Sequence, residues 1–390
     1  MADLKKLHLD LCMTSVFRNV LEKPLFKFFD EYSSLDVTKD RKIMAYASLV
    51  SEVYKLGGSL TGAVMRLVFE DENVYVKSRA RGASLDDNIS KAAERELDVF
   101  SAFAALTPED FREDLNVFYV SPFSSEKRDF IALYEERIKD IEKHGYGIFV
   151  SHPMFRLEDS GELVPIISAD KTRIENFIGY TEERAKVIEN TRAFVLGKPA
   201  ANTLLCGDAG TGKSSTVKAV ANAFFEDGVR LIELRKDQLS FLPYVMGKIS
   251  ENPLKFIIFI DDLSFNQNDD NFSMLKAALE GSASAKAENA VIYATSNRRH
   301  IVKEYFSDRE GGDVHRNDTL QETLSLSERF GLVVLFQKPN KALYLDIVHT
   351  LAERAGLEVS ADLDVRAEAF ALRRGSRSAR CAEQFINSLL

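Results

Sequence analysis

The chain has 390 residues, of which 45% are hydrophobic and 28% are charged, as in an ordinary globular protein with more than one domain. Its net charge of −9 does not favour DNA or RNA as a partner, because the overall field repels a phosphate backbone. The three cysteines have no metal-ligand spacing and an odd count for disulfides, and no stretch reaches the length of a membrane span.

Residues 1–148 have a mostly helical pattern, and the first residues lead into no apolar signal region, so we expect a cytoplasmic protein. Four apolar side chains fall on one helical face: Ile43, Ala47, Val50 and Tyr54. Residues 63–69 and 73–76 instead predict a short β-hairpin. We expect a mostly helical N-terminal region whose frequent aromatic side chains pack in its core and interfaces.

Helical periodicity fades over residues 149–173, where prolines and a glycine predict a linker. Residues 174–338 alternate helical patterns with five apolar runs, which end at residues 206, 234, 260, 295 and 336. Strands that alternate with helices predict a doubly wound α/β domain with a parallel five-stranded sheet. Residues 339–390 return to a helical pattern and predict a small C-terminal helical lid.

A phosphate-binding loop is predicted between the first of these strands and the helix that follows it. Its residues are Gly207, Asp208, Ala209, Gly210, Thr211, Gly212, Lys213, Ser214 and Ser215. Glycines let backbone N–H groups turn inward around a polyphosphate, at a helix N-terminus that already favours anions. Lys213 supplies a charge for the β- and γ-phosphates, and Ser214 supplies a hydroxyl for Mg²⁺.

Polar side chains follow two further strands. Asp261 and Asp262 come directly after the third strand, where a metal ion that bridges the phosphates needs an acidic ligand. Asp261 is the predicted metal ligand, and Asp262 is predicted to polarise the attacking water. Asn297 follows the fourth strand and is predicted to hold that water. Taken alone, the acids would be interpreted as a helix cap and the Thr-Ser-Asn segment as a turn.

Two arginines near the end of the chain have predicted roles. Arg329 precedes the fifth strand, where it would reach the nucleotide of a neighbouring subunit and stabilise charge on a transferring phosphoryl group. Arg377 begins the last helix of the lid and would touch the γ-phosphate. The alternatives are a surface arginine beside Glu328 and a basic helix start, although a basic helix start is electrostatically unfavourable.

In this order, and with the lid after them, the motifs resemble those of AAA+ ATPases: residues 207–214, 260–262, 295–297, 328–330 and 375–377. Residues 261–265, 293–300 and 325–332 more narrowly resemble a bacterial family of predicted AAA+ ATPases whose biological role is unassigned. The resemblance implies ATP and Mg²⁺ as ligands, and it implies adenine packing for Ile178 and Gly179. It also implies that Asn297 is the first sensor, Arg329 the trans finger and Arg377 the second sensor, with Arg380 one helical turn away as the alternative.

We therefore expect an ATPase that converts ATP and water to ADP and phosphate in an oligomer formed on ATP binding. It would remodel or deliver a protein partner that the N-terminal region recognises. The alternative is a nucleotide-controlled binding switch with slow hydrolysis, because Asp262 stands where most AAA+ motors carry glutamate. Residues 235–247 also lack a clear aromatic pore loop. A small-molecule kinase is disfavoured, because no acceptor pocket is evident after the second strand.

Overall fold

A computed structural model describes residues 3–34, 37–167, 172–263, 274–275, 277, 279, 287–297, 329–375 and 377–390. The chain divides into two compact units. The first comprises Met1–Ser151 with Glu251–Pro253, and the second comprises His152–Ser250 with Leu254–Leu390. Among the described helices, none combines the length and the apolar character that crossing a bilayer requires.

The first unit is helical, as the sequence predicts. Its helices are α1 (Leu4–Cys12), α2 (Pro24–Ser33), α3 (Lys39–Lys55), α4 (Leu60–Phe69), α5 (Val74–Ala80), α6 (Asp87–Ala104), α7 (Pro108–Leu115), α8 (Phe130–Lys139) and α9 (Ile141–His144). Aromatic rings fill the core, where Phe17 meets Tyr134 edge-to-face with ring centroids 5.5 Å apart. Phe26 packs against Phe100 in the same way. Such pairs add stabilisation beyond the burial of their area.

The predicted β-hairpin at residues 63–69 and 73–76 is wrong, because both segments are helical. Ser59 accepts a hydrogen bond from the Gly62 amide and caps α4. Asn73 accepts one from the Val76 amide and caps α5. A short apolar run has the same composition in a strand and in a buried helix, so the capping side chains were the better signal.

The second unit contains a sheet whose described strands are β1 (Met154–Leu157), β2 (Leu163–Pro165), β3 (Thr203–Gly207), β4 (Val229–Leu234), β5 (Lys255–Ile260), β6 (Ala290–Ser296) and β7 (Leu332–Phe336). Their order across the sheet is β2-β1-β4-β5-β6-β3-β7. All neighbours are parallel except β1 and β2. The helices α10 (Thr181–Val195), α11 (Lys213–Ala223) and α12 (Leu242–Ile249) belong to the same unit.

The five predicted strands are β3 to β7, but the sheet is larger than predicted. Residues 154–157 and 163–165, which the sequence predicts as part of a linker, form β1 and β2 and extend the sheet beside β4. Met154, Phe155 and Leu157 are buried there. Runs of four and three residues are too short to show a strand period in the sequence.

The C-terminal lid consists of α13 (Lys341–Arg354), α14 (Ala361–Arg373) and α15 (Ala379–Asn387). Its own small core includes Tyr344, Ile347, Ala367, Phe385 and Ile386. The described residues therefore confirm the predicted fold class, which is an α/β domain with a mainly parallel sheet and a helical lid after a mostly helical region.

Candidate nucleotide-binding site

The predicted strand, phosphate loop and helix are present as β3, residues 208–212 and α11. All five residues of β3 are buried. Gly207 has a φ of 135°, and a Cβ on it would lie 2.0 Å from the carbonyl oxygen of Phe336 in the neighbouring strand β7. Gly212, at φ 88°, stands at the start of α11. The loop therefore passes too close to β7 for a side chain and turns directly into a helix N-terminus, which favours anions.

The ammonium group of Lys213 is turned into the loop. It donates to the carbonyl oxygens of Gly207 and Asp208, at 3.0 and 2.7 Å, and to Oδ1 of Asn297 at 2.9 Å. These contacts match the three protons of an ammonium. Burial lowers the pKa of Lys213 below its usual value, and nearby Asp208 opposes that shift. The charge is thus partly desolvated, which strengthens its attraction for an anion.

Asp261 and Ser214 meet at the end of β5. The Ser214 hydroxyl donates to Oδ1 of Asp261 at 2.6 Å, and Thr295 donates to the same oxygen. A hydroxyl and a carboxylate are the hard oxygen ligands that Mg²⁺ prefers. The donor set therefore fits the predicted metal site, and Thr295 adds to it a contact that motif reasoning missed.

Asp262 has an unusual backbone conformation for a residue other than glycine. Its φ is 51°, in the left-handed region, and its amide donates to Oγ1 of Thr295 at 2.9 Å. Its carboxylate accepts a hydrogen bond from Nδ2 of Asn297 at 2.7 Å. Aspartate and asparagine tolerate the left-handed region better than most residues, and strain of this kind concentrates at functional sites.

The sheet order explains why these side chains meet. β6 lies between β3 and β5, with Leu205 opposite Thr295 on one side and Ile260 opposite Ala294 on the other. The end of β6 therefore lies between the phosphate loop and the two acids. Asn297 follows that end directly and bonds both Lys213 and Asp262.

A cavity of about 850 Å³ opens over this network. Residues 209–215, both acids, Thr295 and Asn297 line its polar end. Phe177, Ile178, Ile347 and Leu351 line its apolar end. The volume and the mixed lining are typical of a small-molecule site. Gly207 and Asp208 are not among the residues that line the cavity, but their carbonyl oxygens accept hydrogen bonds from Lys213.

The segment that contains Ile178 and Gly179 packs against the lid. Gly179 has a φ of 67°, and a Cβ on it would lie 2.5 Å from Cδ1 of Leu343 in α13. Arg354, also in α13, donates to the carbonyl oxygen of Asn176 at 2.8 Å. Glycine at position 179 therefore lets the lid approach the apolar end of the cavity closely.

Among the arginines of the lid, Arg380 and Arg354 are in the described lining of the cavity and Arg377 is not. Arg377 instead makes a bidentate ion pair with Glu368 in α14, at 2.9 and 2.7 Å. A Cβ on Gly210 would lie 3.3 Å from Cβ of Arg380. Of the two positions that the sequence leaves open, Arg380 lies beside the phosphate loop.

Arg329 lies before the amino end of β7, at the end of the sheet opposite the phosphate loop. It precedes β7, whereas the phosphate loop follows the carboxyl end of β3, and the two strands are parallel neighbours. At about 3.3 Å per residue, the five residues of β7 alone separate the two ends of the strand by roughly 16 Å. Arg329 is therefore not brought to the cavity of its own chain. Arg298, Arg299, Glu328 and Ser376, which belong to the sequence motifs, lie outside the described residues.

A model of the family described as "Protein of unknown function (DUF815)" matches residues 150–390, which is more than half of the chain. The chain belongs to this family. The match covers the whole candidate site and confirms the predicted membership of a family with no assigned role. A comparison with curated proteins found no match.

Solved structures similar to the DUF815 chain include the RuvB Holliday junction branch migration motor of Thermotoga maritima, at 13% identity and a TM-score of 0.32. That match covers 56% of this chain and 72% of RuvB. AMPPCP-bound DnaA from Aquifex aeolicus is similar at 17% identity and a TM-score of 0.37, over 56% of this chain and 63% of DnaA. The chain thus spans less than two thirds of that DnaA structure. Similarity at this level carries no information about activity.

Proposed function

We propose that this chain binds ATP with Mg²⁺ in the cavity of the second unit and hydrolyses it as an AAA+ ATPase. The observation that carries the proposal is the hydrogen-bonded series from Lys213 through Asn297 to Asp262. A buried ammonium, an amide and a carboxylate in one series suit a terminal phosphate with an attacking water beside it. The apolar end of the cavity, with Phe177 and Ile178, suits a purine base.

Each residue of the polar end has a role in this proposal. When ATP binds, Lys213 exchanges its contact with Asn297 for a contact with a phosphate oxygen. Its two contacts with the carbonyl oxygens of the loop remain and hold the ammonium in place. Ser214 and Asp261 would hold Mg²⁺, which when bound would neutralise charge on the phosphates. Thr295 keeps both acids in place, since it donates to Asp261 and accepts from the amide of Asp262.

Asp262 is the proposed proton acceptor for the attacking water. Asn297 occupies one of its carboxylate oxygens, and the other is the acceptor for a proton of water. The left-handed backbone at this position also gives a reason for aspartate, because a longer side chain such as glutamate is less readily accepted there.

The test separates binding from hydrolysis in the full chain. Asp262→Asn keeps the shape of the side chain and its tolerance for the left-handed backbone but removes the charge. We expect ATP affinity close to that of the wild type by calorimetry, and phosphate release reduced by about 100-fold or more. Unchanged hydrolysis in Asp262→Asn would exclude the proposed proton acceptor, and the absence of ATP binding to the wild type would overturn the whole proposal.

We further propose that hydrolysis needs an oligomer in which Arg329 reaches the nucleotide of a neighbouring subunit. The support is its position before the amino end of β7, whereas its own phosphate loop follows the carboxyl end of the parallel neighbour β3. An arginine that stabilises the charge on a transferring phosphoryl group contributes on the order of 10³- to 10⁵-fold in rate.

Mixing two inactive variants tests the shared site. Arg329→Ala retains a complete nucleotide cavity, and Lys213→Ala retains Arg329 but has a defective phosphate loop. If the arginine acts on a neighbour, an equimolar mixture recovers part of the hydrolysis that each variant lacks alone. If each chain uses its own Arg329, the mixture is as inactive as its components.

The second candidate function is a nucleotide-controlled binding switch with slow hydrolysis. The short carboxylate of Asp262, fixed by Asn297 and by its own backbone, favours slow turnover. Light scattering with and without ATP, alongside single-turnover hydrolysis, distinguishes the two functions. Assembly driven by ATP with very slow turnover supports the switch, and rapid turnover stimulated by a partner supports the remodelling ATPase.

We also propose a cytoplasmic protein whose partner is a protein bound by the helical first unit. The net charge of −9 does not favour nucleic acid. Affinity capture with Asp262→Asn in the presence of ATP, compared with ADP, tests this. A protein retained with ATP and lost with ADP supports partner delivery, whereas capture of nucleic acid alone contradicts it.

A further inference from the structure

Three side chains of different chemistry converge in the first unit, apart from the nucleotide site. They are His8 and Cys12 of α1 and Asp30 of α2. Their ligand atoms all lie within 4.8 Å of one another. Within the described ranges, this is the only group of three or more histidine, cysteine, aspartate or glutamate side chains with that property.

The helices account for the convergence. Residues four apart lie on the same face of a helix, so His8 and Cys12 project together from α1. Leu4, Leu7 and Leu11 bury the adjacent face of α1, which fixes its rotation. The ring of His8 meets Phe29 edge-to-face at 6.2 Å, which places the imidazole beside α2 and next to Asp30.

The distances are close to those of a tetrahedral metal site. Zn²⁺ with typical bond lengths to sulfur and nitrogen holds those two atoms about 3.6 Å apart. Sγ of Cys12 lies 3.6 Å from Nε2 of His8. A nitrogen and a carboxylate oxygen on the same ion would lie about 3.3 Å apart. Nε2 of His8 lies 2.7 Å from Oδ1 of Asp30, so the aspartate must move outward by roughly 0.6 Å.

Asp30 is free to make that movement. Its side chain is 65% exposed, whereas that of His8 is 16% exposed. The imidazole of His8 is therefore the more confined ligand, and the adjustable ligand is the carboxylate at the surface. A fourth ligand would come from solvent, because the described residues offer three.

A cation would also hold these groups together electrostatically. A thiolate and a carboxylate repel each other at this separation, but both are attracted to a divalent ion that they bind in common.

We propose that His8, Cys12 and Asp30 form a site for a divalent transition-metal ion of the Zn²⁺ class. Sulfur and imidazole ligands select Zn²⁺ and related ions over Mg²⁺ and Ca²⁺, which prefer oxygen. The bound ion joins α1 to α2, and so it stabilises the first unit by an amount that rises with the logarithm of the free ion concentration above Kd. The site belongs to the first unit, whereas the candidate nucleotide cavity belongs to the second.

Calorimetry of the reduced, metal-free full chain with Zn²⁺ tests the proposal, and Co²⁺ serves as a spectroscopic probe. We expect one equivalent to bind and Co²⁺ to give a thiolate charge-transfer band. Cys12→Ser removes this band, and both Cys12→Ser and His8→Gln weaken Zn²⁺ binding by more than about tenfold. We expect Asp30→Asn to weaken it less, because its ligand is exposed and adjustable.

Two matched controls make the result specific. His349 and Asp364 form a hydrogen-bonded pair in the lid. Among the described residues no third metal-binding side chain joins this pair, so His349→Gln should leave Zn²⁺ binding unchanged. Asp261→Asn reports any Zn²⁺ that binds at the phosphate loop. Circular dichroism confirms that each variant is folded. No stoichiometric binding, or binding lost in Asp261→Asn but retained in Cys12→Ser, overturns the proposal.

Discussion

The two sides of the nucleotide cavity are built by different means. On the side of the sheet, Lys213, Asp261 and Asn297 follow directly from strands or from the phosphate loop and already contact partners within the site. On the side of the lid, Arg377 is bound to Glu368 and Arg380 faces the loop. Strand register fixes the positions of the first set relative to one another. In the lid, the arginine that can reach the phosphate loop is decided by ion pairing, because Glu368 already binds Arg377.

The largest effect is expected on the side of the sheet, at Lys213. Lys213→Ala removes a partly desolvated charge whose contacts bridge the loop and Asn297, and we expect ATP affinity to fall by roughly 100-fold or more. Lys218→Ala is the matched control, because Lys218 lies on the same helix but pairs with Glu233 at 3.2 Å. Calorimetric titration with ATP should distinguish them, and equal losses in both variants would mean that the helix rather than the site had been damaged.

The next effect is expected at Thr295, which acts through the two acids. Thr295→Val keeps the shape but removes one of the donors to Asp261 and the hydroxyl that accepts from the Asp262 amide, while the Ser214 hydroxyl still donates to Asp261. A hydrogen bond to a charged group contributes about 1.5–3 kcal/mol, so we expect hydrolysis to fall by roughly 10- to 100-fold if the bond from Thr295 to Asp261 keeps that acid in its catalytic position.

Ser296→Ala is the control for this positioning role. Its hydroxyl donates to the carbonyl oxygen of Leu263 at 2.9 Å and so supports the turn that follows the two acids. We expect Ser296→Ala to lower the melting temperature but to change kcat less than Thr295→Val. Equal falls in kcat for both variants would indicate that Thr295 contributes stability only.

The sequence predicted positions best where a residue comes directly after a strand. Asp261, Asp262 and Asn297 were recognisable because apolar runs end beside them. Their mutual contacts were not predictable, because they require β6 to lie between β3 and β5, and long-range pairing decides that order. The strands β1 and β2 escaped detection because they are short. A count of cysteines alone likewise missed His8 and Cys12, which only the helical spacing relates to each other.

The lid offers a smaller effect that decides between two arginines. Arg380 lines the cavity, so we expect Arg380→Ala to weaken ATP binding by about tenfold while ADP binding changes less. Arg377→Ala breaks the pair with Glu368 outside the described lining, and we expect little change in either affinity. Parallel titrations of both variants with ATP and ADP check this. A selective loss of ATP affinity in Arg377→Ala would restore the first assignment and require its ion pair to open on binding.

The smallest effect concerns the contact between the phosphate loop and the lid. Gly210 and Gly212 have similar positive φ values of 77° and 88°, so alanine at either position carries similar backbone strain, on the order of 1 kcal/mol. A Cβ on Gly210 would also lie 3.1 Å from Oγ of Ser378, whereas a Cβ on Gly212 meets nothing within 4 Å. Without nucleotide, both variants should therefore lose similar stability, but only Gly210→Ala should increase hydrogen exchange at the start of α15. Equal exchange in the two variants would mean that this contact does not hold the lid against the loop.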